Sequence, residues 1–442
     1  MNLRKIATEI LDRLHSEKIL IDLLLDQTLE KHTLNPRDRN FIFELVHGTI
    51  RWQKKLEWIA RQFFVGDYAK APRPIKNIIE SSLYQILYMT RTPDYAIVNE
   101  AVQLAKRKKG AFWGRFVNGV LRNILRNLEN LKLPEIEKDP IQGIAVSFSH
   151  PEWLIERWLP RFGIQETIKL CEVNNQTPWH SLRVNQNKIT PEALQALLTK
   201  EGVEAALSPV LPGFLRAQHL PVLSGFKLFQ DGFFTIQDES AALVGLLLNP
   251  KPGETILDLC AAPGGKTTHL AELTNDRAII IAVDQAWPRL KKIQENQQRL
   301  RFRNIIPLVG NALDLEFKPV MKILLDVPCS GLGVLAKRAD LRWQRSPDKI
   351  QELQKIQLQL LNKAATFLKN GGILVYSTCT TEPDENEQVI DSFLKTHPDF
   401  ELENPGQFVP QQFVQFERYV QTLPHIHQID GSFAARLKKR VL

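Results

Sequence analysis

Cysteine is scarce in this chain. There are four in 442 residues, Cys171, Cys260, Cys329 and Cys379, with no Cys-x-x-Cys spacing among them. That argues against a disulfide framework and gives no reason to expect a metal site. Long apolar runs are lacking too. No stretch approaches the roughly 20 residues of a membrane span. The start, Met1-Asn2-Leu3-Arg4-Lys5, opens an amphipathic helix rather than a secretory signal. The expectation is a cytoplasmic protein with no membrane partner, and a monomer. The dinucleotide fingerprint G-x-G-x-x-G is absent as well.

What is present is uneven charge. Residues 1–130 hold 22 Lys and Arg against 14 Asp and Glu, an excess equal to the whole net charge of +8. A basic amino-terminal segment points to a polyanionic partner, most simply nucleic acid. Basic residues cluster at Arg51, Lys54 and Lys55, then at Lys106-Arg107-Lys108-Lys109 with Trp113 and Arg115 close behind, and Arg122 and Arg126 follow at i,i+4. Each cluster alone reads as a solvated face; together they favour RNA.

A chain of this length predicts two to four domains. Residues 1–140 read as helices, with apolar residues at helical spacing and Pro36, Pro72, Pro74 and Pro93 between them. Residues 141–232 read as a small α+β linking domain. Residues 233–442 alternate apolar strands with helices, which predicts a parallel, doubly wound α/β sheet. Strands are expected at Thr255–Cys260, Ala278–Asp284, Ile305–Val309, Lys322–Val327 and Gly372–Ser377. The tail Gly431–Leu437 is expected to close the sheet as an edge strand.

The centre of the third region is Asp258-Leu259-Cys260-Ala261-Ala262-Pro263-Gly264-Gly265-Lys266-Thr267. An apolar strand runs into a glycine turn and a helix start. Glycines let a ligand approach the backbone, and a helix amino terminus offers free N–H groups. A phosphate-binding P-loop would need glycine at position 260, where Cys260 stands. The remaining reading is S-adenosylmethionine in a Rossmann-like methyltransferase. Asp284 ends the next strand, about 20 residues on, where an acidic side chain can bond ribose hydroxyls.

Two further strand ends carry chemistry: Asp326-Val327-Pro328-Cys329-Ser330-Gly331, and Ser377-Thr378-Cys379 followed by Glu382-Pro383-Asp384-Glu385-Asn386-Glu387. A single Cys is usually a small buried hydrophobe. Two at strand ends beside a methyl-donor site have a better use. C5 of a pyrimidine is a poor nucleophile, and thiolate addition at C6 makes C5 able to attack a methyl group. Asp326 is placed to hydrogen-bond the base as charge develops. Methylation of nitrogen or oxygen needs no cysteine, so the pair points to carbon.

These three motifs resemble the Nop/Sun family of RNA cytosine-C5 methyltransferases, in its bacterial ribosomal branch, and the resemblance covers nearly the whole chain. It implies an all-α NusB-like RNA-binding domain, a small α+β middle domain and a class I methyltransferase domain. It implies S-adenosylmethionine bound by Cys260, Ala261, Ala262, Pro263, Gly264, Gly265, Lys266, Asp284, Asn311 and Asp326. The substrate implied is a cytosine of small-subunit ribosomal RNA. Spacing alone leaves open which cysteine attacks; the resemblance makes Cys379 the nucleophile and assigns product release to Cys329. The chain departs from the family at Val327, usually alanine, at Leu332, usually small or hydroxyl-bearing, and at Asn311, usually acidic. Transfer RNA as substrate, and an RNA-binding assembly protein without catalysis, are the alternatives.

Overall fold

The computed structural model describes residues 2–441 except 18, 20, 33, 90 and 91. It divides into two compact units. One is Met1–Gln176 with Leu335–Gln344, and the other is Thr177–Val334 with Arg345–Leu442.

The first unit is helical: α1 (Leu3–Glu17), α2 (Ile21–Leu29), α3 (Pro36–Arg51), α4 (Gln53–Phe63), α5 (Arg73–Tyr88), α6 (Asp94–Lys109), α7 (Ala111–Arg126), α8 (Pro140–Ser147) and α9 (Glu152–Asn175). Local signals set the boundaries. Asn35 caps α3 by accepting from the Asp38 amide, with Pro36 in the first turn, and Asp139 caps α8 in the same way. Gly110, at φ +94°, turns the chain between α6 and α7. In α7, Val117, Val120, Leu121 and Ile124 are buried at helical spacing. Gly163, at φ +74°, breaks the line of α9.

The returning segment Leu335–Gln344 is part of this unit. Arg342 is fully buried and donates to the carbonyls of Ser149 (3.0 Å) and Asn174 (3.0 Å) and to Asn175 Oδ1 (2.8 Å). Burial pulls its pKa down to about 9. Trp343 Nε1 donates to the Ile50 carbonyl at 2.8 Å.

The second unit holds two sheets. The smaller has the order β2 (Ala205–Leu207), β3 (Phe214–Ala217), β1 (His180–Val184), β4 (Phe234–Ile236), and its recorded pairings are antiparallel. Helices α10 (Pro191–Lys200) and α11 (Lys227–Gln230) accompany it. Helix α12 (Glu239–Leu248) leads to the larger sheet. Its strands are β5 (Thr255–Leu259), β6 (Ile279–Asp284), β7 (Ile305–Val309), β8 (Val320–Asp326), β9 (Leu368–Thr378), β10 (Phe400–Leu402), β11 (Val414–Gln415), β12 (Tyr419–Thr422) and β13 (Ser432–Lys439). Helices α13 (Gly265–Leu273) and α14 (Trp287–Leu300) follow β5 and β6. β7, β6, β5, β8 and β9 are parallel neighbours. Their inner strands are apolar runs because both faces are covered: Ile256, Leu257 and Leu259 are buried, as are Ile323, Leu324 and Leu325.

The sheet differs from the expectation in two ways. It is mixed, because β13, β12 and β11 are antiparallel additions. And β13 is interior, not an edge. It pairs with β9 from Phe433↔Thr378 to Lys438↔Ile373 on one side, and with β12 and β10 on the other. Its first six residues are buried. The strands that cover it, β10 and β12, are only three and four residues long, too short to show an alternating pattern.

Candidate active site

The carboxyl ends of β5, β6, β8 and β9 carry the motif residues, as parallel open sheets arrange their ligand sites. At the end of β5, Asp258 is fully buried and accepts from Thr267 Oγ1 at 2.6 Å. Burial raises its pKa to about 7, partly offset by that hydrogen bond. Cys260 has φ +64°, a left-handed conformation that is strained for a residue with a side chain. Burial and nearby carboxylates push its thiol up to about 12, so it is a neutral part of the wall. The Ala261 amide donates to the Val283 carbonyl at 2.8 Å, and the Ala262 amide to Asp284 Oδ2 at 3.2 Å. Pro263 follows.

Gly264 stands at φ +98°, and a Cβ there would lie 2.9 Å from Ile293 Cγ1. Both facts require glycine. Gly265 is different: a Cβ there would only meet Gln237 at 3.7 Å. The protein's own packing therefore leaves that position open.

Asp284 also accepts from the Ala286 amide at 3.0 Å, and Arg289 lies 3.7 Å away. Beside it is a cavity of about 370 Å³ lined by Cys260, Asp284, Asn311, Leu313, Pro328 and Ile356, among others. Its size and its mixture of apolar wall with a few polar groups suit a small organic ligand. Asn311 reaches this cavity, but its amide is also used locally. It donates to Asp314 at 2.9 Å and accepts from the Leu313 amide at 3.2 Å.

Lys266 points to a different neighbour. Its ammonium is 2.7 Å from Asp326 Oδ2, and Ser377 Oγ donates to Asp326 Oδ1 at 2.7 Å. Burial works against the charged lysine, but the charge and hydrogen bond of Asp326 outweigh it. Smaller contributions come from Cys379 and Cys329, and its pKa stays raised.

The two motif cysteines meet. Cys329 Sγ is 3.0 Å from Cys379 Sγ, and the Cys379 amide donates to Cys329 Sγ at 3.3 Å. Both are free thiols. The contact with Cys379, then burial, holds the Cys329 thiol well above its ordinary value. The fourth cysteine, Cys171, is buried in the helical unit and its pKa is raised by that burial.

Three groups escaped the sequence reading. Arg183 on β1 is buried and donates to the Gly265 carbonyl (2.9 Å), Thr268 Oγ1 (3.1 Å), Glu272 (3.2 Å) and Gln237. It fixes the first turn of α13 from the smaller sheet. Glu385, quoted only as part of a motif, accepts from the Ser330 amide (2.8 Å), the Ser330 hydroxyl and Gln357 Nε2 (2.9 Å). It thereby holds the residue after Cys329. Asn386 accepts from Thr378 Oγ1 at 2.6 Å and donates to the Thr380 carbonyl at 3.1 Å, gripping Cys379 on both sides. An arginine inside a strand was a visible signal; the partners of Glu385 and Asn386 were not.

Among the described residues no group of His, Cys, Asp and Glu is arranged to hold a metal ion. No helix among them is long and apolar enough to cross a membrane.

Comparison with known proteins gives matches along the chain. A profile described as 16S rRNA methyltransferase RsmB/F matches residues 245–438, one of the NusB family matches 1–126, and a ferredoxin-like domain of RsmF/B-like methyltransferases matches 150–220. A protein of Synechocystis sp. described as a probable ribosomal RNA small subunit methyltransferase B is 38% identical over 99% of both chains. The crystal structure of PH0851 superposes with a TM-score of 0.83, at 27% identity over 99% of both chains. That of NSun6 from Pyrococcus horikoshii with SFG superposes at 0.60, with 27% identity, over 66% of this chain and 99% of that one. The fold is therefore a NusB-type helical domain, a ferredoxin-like domain and a Rossmann-like methyltransferase domain.

Proposed function

Because this chain belongs to the RsmB/F methyltransferase family, we propose that it transfers a methyl group from S-adenosylmethionine to C5 of a cytosine in small-subunit ribosomal RNA. The observation that carries the reading is the pair of free thiols 3.0 Å apart, Cys329 and Cys379, next to the Lys266–Asp326 ion pair. The name of the Synechocystis relative supports the substrate. The NSun6 structure, solved with an S-adenosylmethionine analogue, supports the donor.

The residues present fit the donor. Asp284 has acceptor capacity left for ribose hydroxyls, since a carboxylate offers about four sites and two backbone amides use only part of them. Asn311 would offer its carbonyl oxygen to the adenine amine. The turn Cys260, Ala261, Ala262, Pro263, Gly264 and Gly265, with Lys266, would hold the donor's amino-acid end. When bound, S-adenosylmethionine supplies an electrophilic methyl group on a sulfonium.

Cys379, as thiolate, adds to C6 of cytosine. The C5=C6 electron pair moves to C5 and from there forms the bond to the methyl carbon. Asp326 accepts from the cytosine amine with an acceptor site not used by Lys266 or Ser377. The charge of Lys266 favours thiolate nearby. Loss of the C5 proton to solvent then re-forms C5=C6 and expels Cys379. Cys329 retains its proton in the resting site and gives it to the departing sulfur; Cys379 hands that proton back to Cys329 as it returns to thiolate for the next turnover.

The test is a denaturing gel of enzyme with ribosomal RNA transcript and donor. Cys379→Ala should abolish turnover and leave no adduct. Cys329→Ala should stall elimination and leave protein and RNA linked. A trapped band from Cys379→Ala alone would reverse the roles. Full methyl incorporation by both variants would refute covalent catalysis.

A further inference from the structure

The most basic stretch of the helical unit, Lys106-Arg107-Lys108-Lys109, has a structural explanation. It forms the last turn of α6, where the partial negative charge of the helix end favours cations. Lys108 is paired with Asp12. A second set of cations is only partly explained this way, since Arg126 alone of the three sits in a last helical turn. Arg115, Arg122 and Arg126 of α7 are exposed, and no hydrogen bond or ion pair engages them among the described residues. Together with Asn118 they follow at intervals of three, four and four residues, so they form one stripe along the helix. The stripe runs about 16 Å, at 1.5 Å per residue.

Facing it is a stripe of α6 made by Tyr95, Val98, Asn99 and Val102. The two stripes line a cleft of about 510 Å³. Its floor is close-packed: a Cβ at Gly114 would lie 3.2 Å from both the Lys106 Cβ and the Val102 carbonyl. Tyr95 is 79% exposed at one end of α6 and stacks on no other ring among the described residues. Unpaired guanidinium forks, amide side chains and an exposed aromatic ring are the groups that bind a single strand. Forks take phosphates, and the ring takes an unstacked base.

We propose that the α6–α7 cleft is a docking site for a single-stranded segment of RNA, with Arg115, Arg122 and Arg126 on its phosphates and Tyr95 stacked on a base. This rests on the reading of the chain as an RNA methyltransferase. Half-buried Val102 and Leu125 line the cleft, and its exposed groups are Arg115, Arg122, Arg126, Tyr95 and Asn99; the centre of a protein interface is depleted of charge, whereas three arginines run the length of this cleft.

The test measures binding of full-length protein to in vitro transcribed 16S ribosomal RNA, and to a short fluorescent single-stranded RNA, across a salt series. The triple variant Arg115→Gln, Arg122→Gln, Arg126→Gln should bind at least about tenfold more weakly. Its salt slope should fall by about 2, from about 0.7 per lost phosphate contact on a single strand. Tyr95→Ala should lose about five- to a hundredfold with an unchanged salt slope, since stacking releases no counterions. A control with the same number of charges removed, Lys106→Gln, Arg107→Gln, Lys109→Gln, should lose clearly less. Equal loss in the two triple variants would mean a diffuse positive field and would overturn the site. So would unchanged RNA binding in the arginine variant with an unaltered circular dichroism spectrum, leaving the cleft to an acidic protein. Methyl incorporation by the parent protein is followed in parallel. Binding without incorporation into any RNA would defeat the proposed function and not the cleft.

Discussion

Replacing Arg183 by methionine keeps an unbranched apolar stem and removes the guanidinium with its charge. Arg183 and Glu272 are both buried and 3.2 Å apart. Burial pushes both towards neutrality: it lowers the pKa of Arg183 and raises that of Glu272, against their mutual attraction. The intact pair therefore contributes little net stability, while removing one partner leaves a buried carboxylate alone. Such a loss costs about 3–5 kcal/mol. Gly265 O, Thr268 and Gln237 lose a donor as well. The assay is hydrogen exchange of the β5 and α13 amides, because a single unfolding free energy is poorly defined for a chain of several domains. Arg183→Met should speed their exchange by an amount equivalent to about 3 kcal/mol or more. Glu272→Gln added to Arg183→Met should recover much of it. The sign with pH is also set. Without its arginine, Glu272 has a folded pKa raised further above the unfolded value, so the folded state binds the extra proton and gains stability as pH falls. The penalty should shrink on going from about pH 8 to about pH 6. A loss under about 1 kcal/mol, or one that the second substitution deepens, would show that Arg183 is not the anchor of this turn.

Three further outcomes are expected. Asp284→Ala should weaken S-adenosylmethionine binding at least about tenfold, since charged hydrogen bonds contribute about 1.5–3 kcal/mol each, and Asp284→Asn should do less harm; calorimetric titration reads both. Asp258, with a folded pKa of about 7 against an ordinary 3.8, should make the exchange-derived stability of the β5 and α13 amides fall by about 4 kcal/mol as pH rises from about 4 to about 7, then stay level; Asp258→Asn should flatten that slope. Glu385→Ala leaves the Ser330 amide unpaired in a buried place, at a cost of about 1–3 kcal/mol; it should lower the turnover rate far more than donor affinity, and equal losses in both would refute a role at Cys329.

Much of the larger domain was legible because its signals are local. Continuous apolar strands, glycine turns and helix starts recur from Thr255 to Ser377, and the observed strands β5, β6, β7, β8 and β9 fall there. What was hidden depends on pairing between distant segments. The interior place of β13 is decided by β12 and β10, three or four residues each. The segment Leu335–Gln344 reads as an ordinary loop. It belongs to the helical unit because Arg342 and Trp343 find carbonyls at Ser149, Asn174 and Ile50, more than 160 residues away in sequence.

The site shows the same division at closer range. Motif spacing brought Cys329, Cys379, Asp326 and Lys266 under suspicion, because each ends a strand or starts a helix. Spacing is silent on which sulfur keeps its proton, since that depends on contacts between side chains. Here the Cys329 thiol is held by Cys379 and by burial, and its loop is pinned through Ser330 to Glu385. Cys379 is gripped from the other side, through Thr378 and Thr380 to Asn386. The acidic motif that follows Cys379 therefore acts as a clamp on both cysteine loops. A shift of either loop would open the 3.0 Å sulfur contact. Proton transfer between the two sulfurs requires that contact, so the geometry of release depends on residues that touch neither base nor donor.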